Sequence, residues 1–149
     1  MLSVIDIIRA LSELIENNYP DYPVIDMDVT EDYSRPGYFI DVDDVQTSWV
    51  ANDYIKESSK LNIIFFAEDR YSGFLDLLDM KNNLTMLFDE PLLVENEDTQ
   101  YYVSLLETTS DLFKNDKVLT FSVTADLIQK VKRKEATDSY MENLETNIQ

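Results

Sequence analysis

Apolar positions recur along this chain at two different periods, and the switches between them divide it into elements. From Leu2 to Asn17, Leu2, Ile5, Ile8, Leu11 and Ile15 are spaced by three and four, joined by Val4, Ile7 and Leu14. That spacing predicts one amphipathic helix, ended by Pro20 and Pro23. Glu13 and Glu16 fall in its last turns, where the macrodipole disfavours acid, so the helix depends on packing rather than on its ends. A period of two follows. Ile25, Met27 and Val29 alternate with Val24, Asp26 and Asp28. Beyond the breakers Pro36 and Gly37, Tyr38, Ile40 and Val42 alternate with Phe39, Asp41 and Asp43. Both stretches predict strands with one apolar face.

The most apolar run, Leu61 to Ala67, predicts a central strand. Taken with the preceding alternation, Tyr38 to Ala67 predicts two long antiparallel strands joined by an extended hairpin arm. Its polar stretch, Gln46 to Lys60, carries Trp49, Val50, Tyr54 and Ile55. Asp69 is placed to cap a second helix, about Arg70 to Phe88, with Phe74, Leu77, Leu78, Leu84, Leu87 and Phe88 as its stripe. Then come a short strand at Leu92 to Val94, a polar turn at Asn96 to Thr99, and a strand from Tyr101 to Leu106. A turn from Asp111 to Lys117 leads into a clearly alternating strand from Val118 to Ile128. From Lys130 the composition changes. Lys130, Lys132, Arg133 and Lys134 are four of the twelve bases, and Glu135 to Gln149 is polar with sparse Tyr140, Met141, Leu144 and Ile148. The expected organisation is one domain over 1–131 and, over 132–149, a flexible tail or weak helix that orders against a partner.

Composition narrows the classes of function. At 149 residues, 44% hydrophobic and 11% aromatic, the chain has the material for a folded core. The N-terminal apolar run is broken by Asp6 and Arg9 and lacks the basic leader of a signal peptide. No run approaches the ~18–20 apolar residues of a membrane span. The expected location is a cytoplasm, or a particle assembled there. Thirty acids against twelve bases give a net charge of −18. That argues against a nucleic-acid-binding surface and against anionic membranes. Two readings of the acid excess stand: solubility, or a surface that stays near DNA without holding it.

The chemistry available is narrow. With no His and no Cys, nucleophilic triads and thiolate metal sites are excluded. Two glycines, Gly37 and Gly73, do not make a phosphate-cradling loop. Asp26/Asp28 and Asp41/Asp43 each put two carboxylates on one strand face, with Asp44 beside them, a pattern that two strands can use to hold Mg²⁺. Set against this, such positions are the solvent side of half-buried strands. Asp79-Met80-Lys81 has the acid-x-Lys spacing of some nucleases but falls in a predicted helix. Trp49, Val50, Tyr54 and Ile55 suit a partner interface, or else an arm that folds back and tucks Trp49 into the core. Lys130, Lys132 and Arg133 suit the acidic surface of a neighbouring subunit, or a solvated strand-to-tail junction.

The order of these elements resembles the tail terminator family of tailed bacteriophages, across roughly Leu2 to Val131. The resemblance is carried by the turn Tyr19 to Pro23, the strand Pro36-Gly-Tyr-Phe-Ile40, the aromatic strand Leu61 to Phe66, the helix Phe74 to Leu87 and the closing strands Tyr101 to Leu127. The acidic turn Glu95 to Gln100 and the C-terminal tail depart from the family pattern. The resemblance implies an α+β subunit, with two helices packed on a mainly antiparallel sheet and a long β-hairpin arm. It implies a structural protein of the virion with no cofactor: a hexameric ring of this chain that caps the tail tube, stops its polymerisation and joins it to the neck or head. DNA would pass through the lumen unbound. The partners implied are further copies of the chain, the tail-tube protein and a neck or head-completion protein. Other readings are a neck adaptor, a tail-assembly chaperone, a carboxylate-metal enzyme and, from charge alone, a nucleic-acid mimic.

Overall fold

Two helices and two antiparallel sheets make up the computed structural model, which describes residues 1–25, 35–68, 73–97 and 99–131. The architecture is α+β, as expected. Helix α1 (Val4–Asn18) leads into β1 (Gly37–Ala51) and β2 (Tyr54–Phe66), followed by α2 (Phe74–Leu87). Strands β3 (Leu92–Glu95), β4 (Gln100–Val103), β5 (Leu105–Phe113) and β6 (Val118–Lys130) complete the order. The main sheet runs β1-β2-β6-β5, and β3 pairs with β4 in a separate ribbon. β2 is therefore central, as the apolar run 61–67 predicts.

Alternation dictates which face of the main sheet is covered. Leu61, Ile63 and Phe65 of β2 and Leu119, Phe121, Val123, Ala125 and Leu127 of β6 are buried on one side. Tyr38 and Ile40 of β1 join them opposite Phe65 and Ile63. Helix α1 lays Ile7, Leu11 and Ile15 into the same core. Ile5, expected in that stripe, is 64% exposed. At 100° per residue Ile5 lies well around the helix from Ile7, Leu11 and Ile15, so Ile7 takes its place. The first turn is closed by the Ser3 N–H, which donates to the Asp6 carboxylate at 2.9 Å.

The second helix begins later than expected, at Phe74 after Gly73, and buries Leu77, Met80 and Leu84, whereas Leu78 is 38% exposed. Phe88 at its end packs edge-on against Phe121, ring centres 5.1 Å apart. The predicted strand 101–106 is in fact two. The chain leaves the β3–β4 ribbon at Ser104 and enters the main sheet as β5. Asp111 to Phe113, expected as turn, continue β5 against Thr120, Leu119 and Val118. β5 also contains a bulge between Leu106 and Thr109, with Glu107 at φ 49°, and that irregularity hides its alternation. Of the strand expected at 24–29, Val24 bridges Tyr38, and 26–29 lie outside the described residues. The proposed cap Asp69 and the segment 132–149 lie outside them as well.

Candidate assembly surface

The hairpin β1–β2 turns at Asn52 and Asp53 and carries the apolar residues singled out in the sequence. It does not project as two strands alone. β6 runs beside β2 to the end, pairing Lys130 with Tyr54 and Gln129 with Ile55. The Val131 N–H then donates to the Asp53 carbonyl at 2.7 Å. Trp49 sits opposite Ile55 across the hairpin. The structure thus brings Trp49, Val50, Tyr54, Ile55 and Lys130 together at one end of the main sheet. Lys132 and Arg133 lie outside the described residues.

A bulge sets what this end presents. The register shifts between Val42 and Asp44, so before it the even residues Tyr38, Ile40 and Val42 face the core. After it the odd residues Val45, Thr47 and Trp49 share the face of Ser59, Glu57 and Ile55. Helix α1 covers this face only as far as its own first residues. There the Leu2 N–H donates to Gln129 Oε1 at 2.9 Å, and Gln129 Nε2 donates to the Leu2 carbonyl at 2.6 Å. Beyond that clasp the apolar face emerges into solvent, with Val45 39% and Trp49 43% exposed; Tyr54, on the other face opposite Ala51 and Lys130, is 44% exposed, and Val50, at the second register shift, is 52% exposed. Trp49 is therefore not tucked into the core. Ser59 is fully buried just inside this rim, and its hydroxyl has no hydrogen-bond partner among the described residues.

Gln129 was not singled out from the sequence, although a signal was there. Every odd position from Leu119 to Leu127 is apolar, and Gln129 continues that face as a polar residue. A buried amide on an apolar face must find partners, and it finds the helix entry.

The opposite face of the main sheet carries polar pairs between strands. Asn62 Oδ1 accepts from the Ser122 hydroxyl at 2.7 Å, and Asp126 accepts from Ser58 at 2.6 Å. Lys56 lies 3.8 Å from Asp126, and Lys60 lies 3.9 Å from Asp43. Asp41, Asp43 and Asp44 are exposed along β1 on the sheet edge. Among the described residues no group of three or more His, Cys, Asp or Glu is arranged to hold a metal ion; Asp26 and Asp28 lie outside them. Asp79 and Lys81 sit in helix α2, as expected, away from the strand setting that the nuclease pattern requires.

At the other end of the sheet three tyrosines anchor the chain. Tyr19 and Tyr22 pack edge-on against Phe65, and Tyr38 lies beside it at 5.9 Å. Burial raises the phenol pKa of all three. Nearby acids push the same way: Asp79 for Tyr19, Asp76 for Tyr22 and Glu16 for Tyr38.

A family model described as phage tail terminator protein matches residues 6–138. No curated protein matches the chain.

Proposed function

This chain belongs to the phage tail terminator family, a structural family of phage tails, and from that premise we propose how it acts. Its copies form a hexameric ring on the last ring of the tail tube. One face of the ring fits the tube subunit, and the other refuses a further tube ring and offers the joining surface to the neck or head. The work is binding geometry, with no catalytic step and no cofactor.

The family match over 6–138 carries this reading, and the hairpin end supports it. Trp49, Val50, Tyr54 and Ile55, with Lys130 beside them, form an apolar rim with a basic neighbour on a protein of net charge −18. A patch of that kind suits a subunit or tube contact, and contacts between unlike surfaces close into rings when the rotation allows. Lys132 and Arg133 extend the basic character in sequence toward a neighbour's acidic surface. The acid excess suits a lumen through which DNA slides without sticking.

Disruption of the gene in its source phage, with electron microscopy of the lysate, tests the reading. Overlength tubes beside DNA-filled, tailless heads are expected. Normal-length tails that fail to attach would assign the chain to the neck instead. Absence of the protein from purified virions would mark it as an assembly chaperone, and normal infectious particles would reject a structural role.

A further inference from the structure

The hairpin end of the main sheet has two unlike faces. On the face that continues the core, Glu57 stands at the centre, between Thr47 of β1 and Leu127 of β6, with Ile55 and Ser59 on either side of it along β2. One oxygen of its carboxylate, Oε1, is buried without a hydrogen-bond partner among the described residues, and none of the ion pairs among them involves Glu57. Ser59 is fully buried with its hydroxyl in the same position. A buried carboxylate oxygen that meets no donor is costly, and the side chains around it supply no base. Toward β1 this face is open, at Val45 and Trp49. It lacks a cation set among apolar groups.

The other face of the same end carries one. There Tyr54 stands opposite Lys130 and Lys56 opposite Ile128, with Tyr54 44% and Ile128 51% exposed. Alternation puts these side chains across the sheet from Glu57. Two bases on this face meet acids of their own chain, Lys56 at Asp126 and Lys60 at Asp43. The acids here are engaged as well: Asp126 accepts from Ser58, and Asp44 accepts from Gln46 Nε2 at 3.0 Å. Lys130, nearest the turn, is exposed and enters none of the ion pairs among the described residues.

Within one molecule the sheet itself keeps these two faces apart. Two copies bring them together by overlapping at their hairpin ends, the Lys130 face of one laid on the Glu57 face of the next. At the ~10 Å spacing of stacked sheets, side chains from the two facing surfaces interdigitate. Each copy gives one surface and receives the other, so the contact is heterologous, the kind that closes into rings. We infer that Lys130 of one copy pairs with Glu57 of the next, inside an apolar contact between the two faces of the hairpin end. The inference rests on the proposed self-assembly of the chain and names the surfaces that carry it.

Reversing the charges tests it. Glu57→Lys and Lys130→Glu chains, with folding checked by circular dichroism, are supplied to the gene-disrupted phage. Like charges at the contact should lower the infectious yield of each at least about tenfold. Both substitutions in one chain should restore it. So should the two single variants supplied together, because alternating copies regain an opposite pair at every contact. Full yield from either single variant would overturn the inference, as would a defect that neither combination relieves. Rescue by the doubly substituted chain but not by the mixture would place the pair within one molecule, and overturn it too. A second measurement does not depend on the fold of Glu57→Lys. The chain has no cysteine, so purified full-length Thr47→Cys and Ile128→Cys proteins, one from each face, are mixed and mildly oxidised. A disulfide-linked heterodimer is expected on a non-reducing gel, and its absence would overturn the inference. Tail length in the gene-disrupted phage is read without any of these variants, so the capping role stands or falls separately.

Discussion

Gln129 clasps both backbone polar groups of Leu2, accepting from its N–H at 2.9 Å and donating to its carbonyl at 2.6 Å, across 127 positions of sequence. The two residues are buried, so this clasp fixes where helix α1 starts on the sheet. Gln129→Leu leaves both groups of Leu2 without a partner. It should cost about 1–3 kcal/mol, read as a lower urea midpoint with an unchanged slope. Hydrogen exchange at the Leu2 amide should rise more than at the middle of β6. An unchanged midpoint would mean that the clasp contributes nothing.

Ser59 presents the converse case. Its hydroxyl is buried without a partner among the described residues, so its desolvation is uncompensated. Ser59→Ala should leave stability unchanged or raise it by about 0.5–1 kcal/mol. A clear fall in Tm would show that the hydroxyl is bonded after all.

Gly73 precedes α2 with φ at 92°, and a Cβ added there would lie 3.0 Å from the Ala67 Cβ. Both the left-handed backbone and the close approach oppose a side chain. Gly73→Ala should lower stability by about 1–2 kcal/mol. A denaturation midpoint equal to that of the unmodified chain would contradict this.

The tyrosine anchor makes alkaline pH a probe of the fold. Tyr19, Tyr22 and Tyr38 have folded pKa values raised above the ordinary phenol value of 10.0. Their neutral forms are favoured by folding, so their contribution is complete below the unfolded pKa. It is lost as pH rises through the raised folded values. Absorbance at 295 nm should show part of the nine tyrosines titrating late in the native protein and with the others in urea. Tyr38→Phe should shrink the late fraction, and a single common transition in the native protein would contradict the expectation.

Trp49 is 43% exposed, so more than half of its surface is covered and Trp49→Ser removes part of the packing at the hairpin end. A stability loss of about 2–3 kcal/mol is expected. If the hairpin end is an assembly contact, the variant should fold normally yet fail to restore joined, length-controlled tails when supplied to the disrupted phage. Full complementation would remove this end from the list of contacts.

Where the periodicity was regular, the sequence was a faithful guide. The alternation in β6 and the apolar run of β2 predicted the centre of the sheet and its covered face, because each side chain there answers to one neighbour layer. The hairpin residues Trp49, Val50, Tyr54 and Ile55 were legible as a set, and Lys130 as part of a separate basic cluster; that the two meet at one end of the sheet is seen only in the structure. What stayed hidden was set by backbone irregularity or distance. The extra residue at Asp43 reverses which positions face the core, and the bulge at Glu107 masks β5. The break at Ser104 sends one apparent strand into two sheets. Ile5 and Ile7 compete for one helical stripe, and only the position of the sheet beneath decides between them. The clasp of Leu2 by Gln129 depends on a fold that brings the two ends of the domain together.

The unbroken register from Tyr54 opposite Lys130 to Phe66 opposite Val118 has a mechanical consequence. A load applied along the strands at the hairpin turn is carried in shear by the whole β2–β6 ladder, whose hydrogen bonds share it at once instead of opening one after another like a zipper. The end of the sheet is a stiff three-ply plank, able to transmit tension or torque into the body of the molecule with little bending of its own.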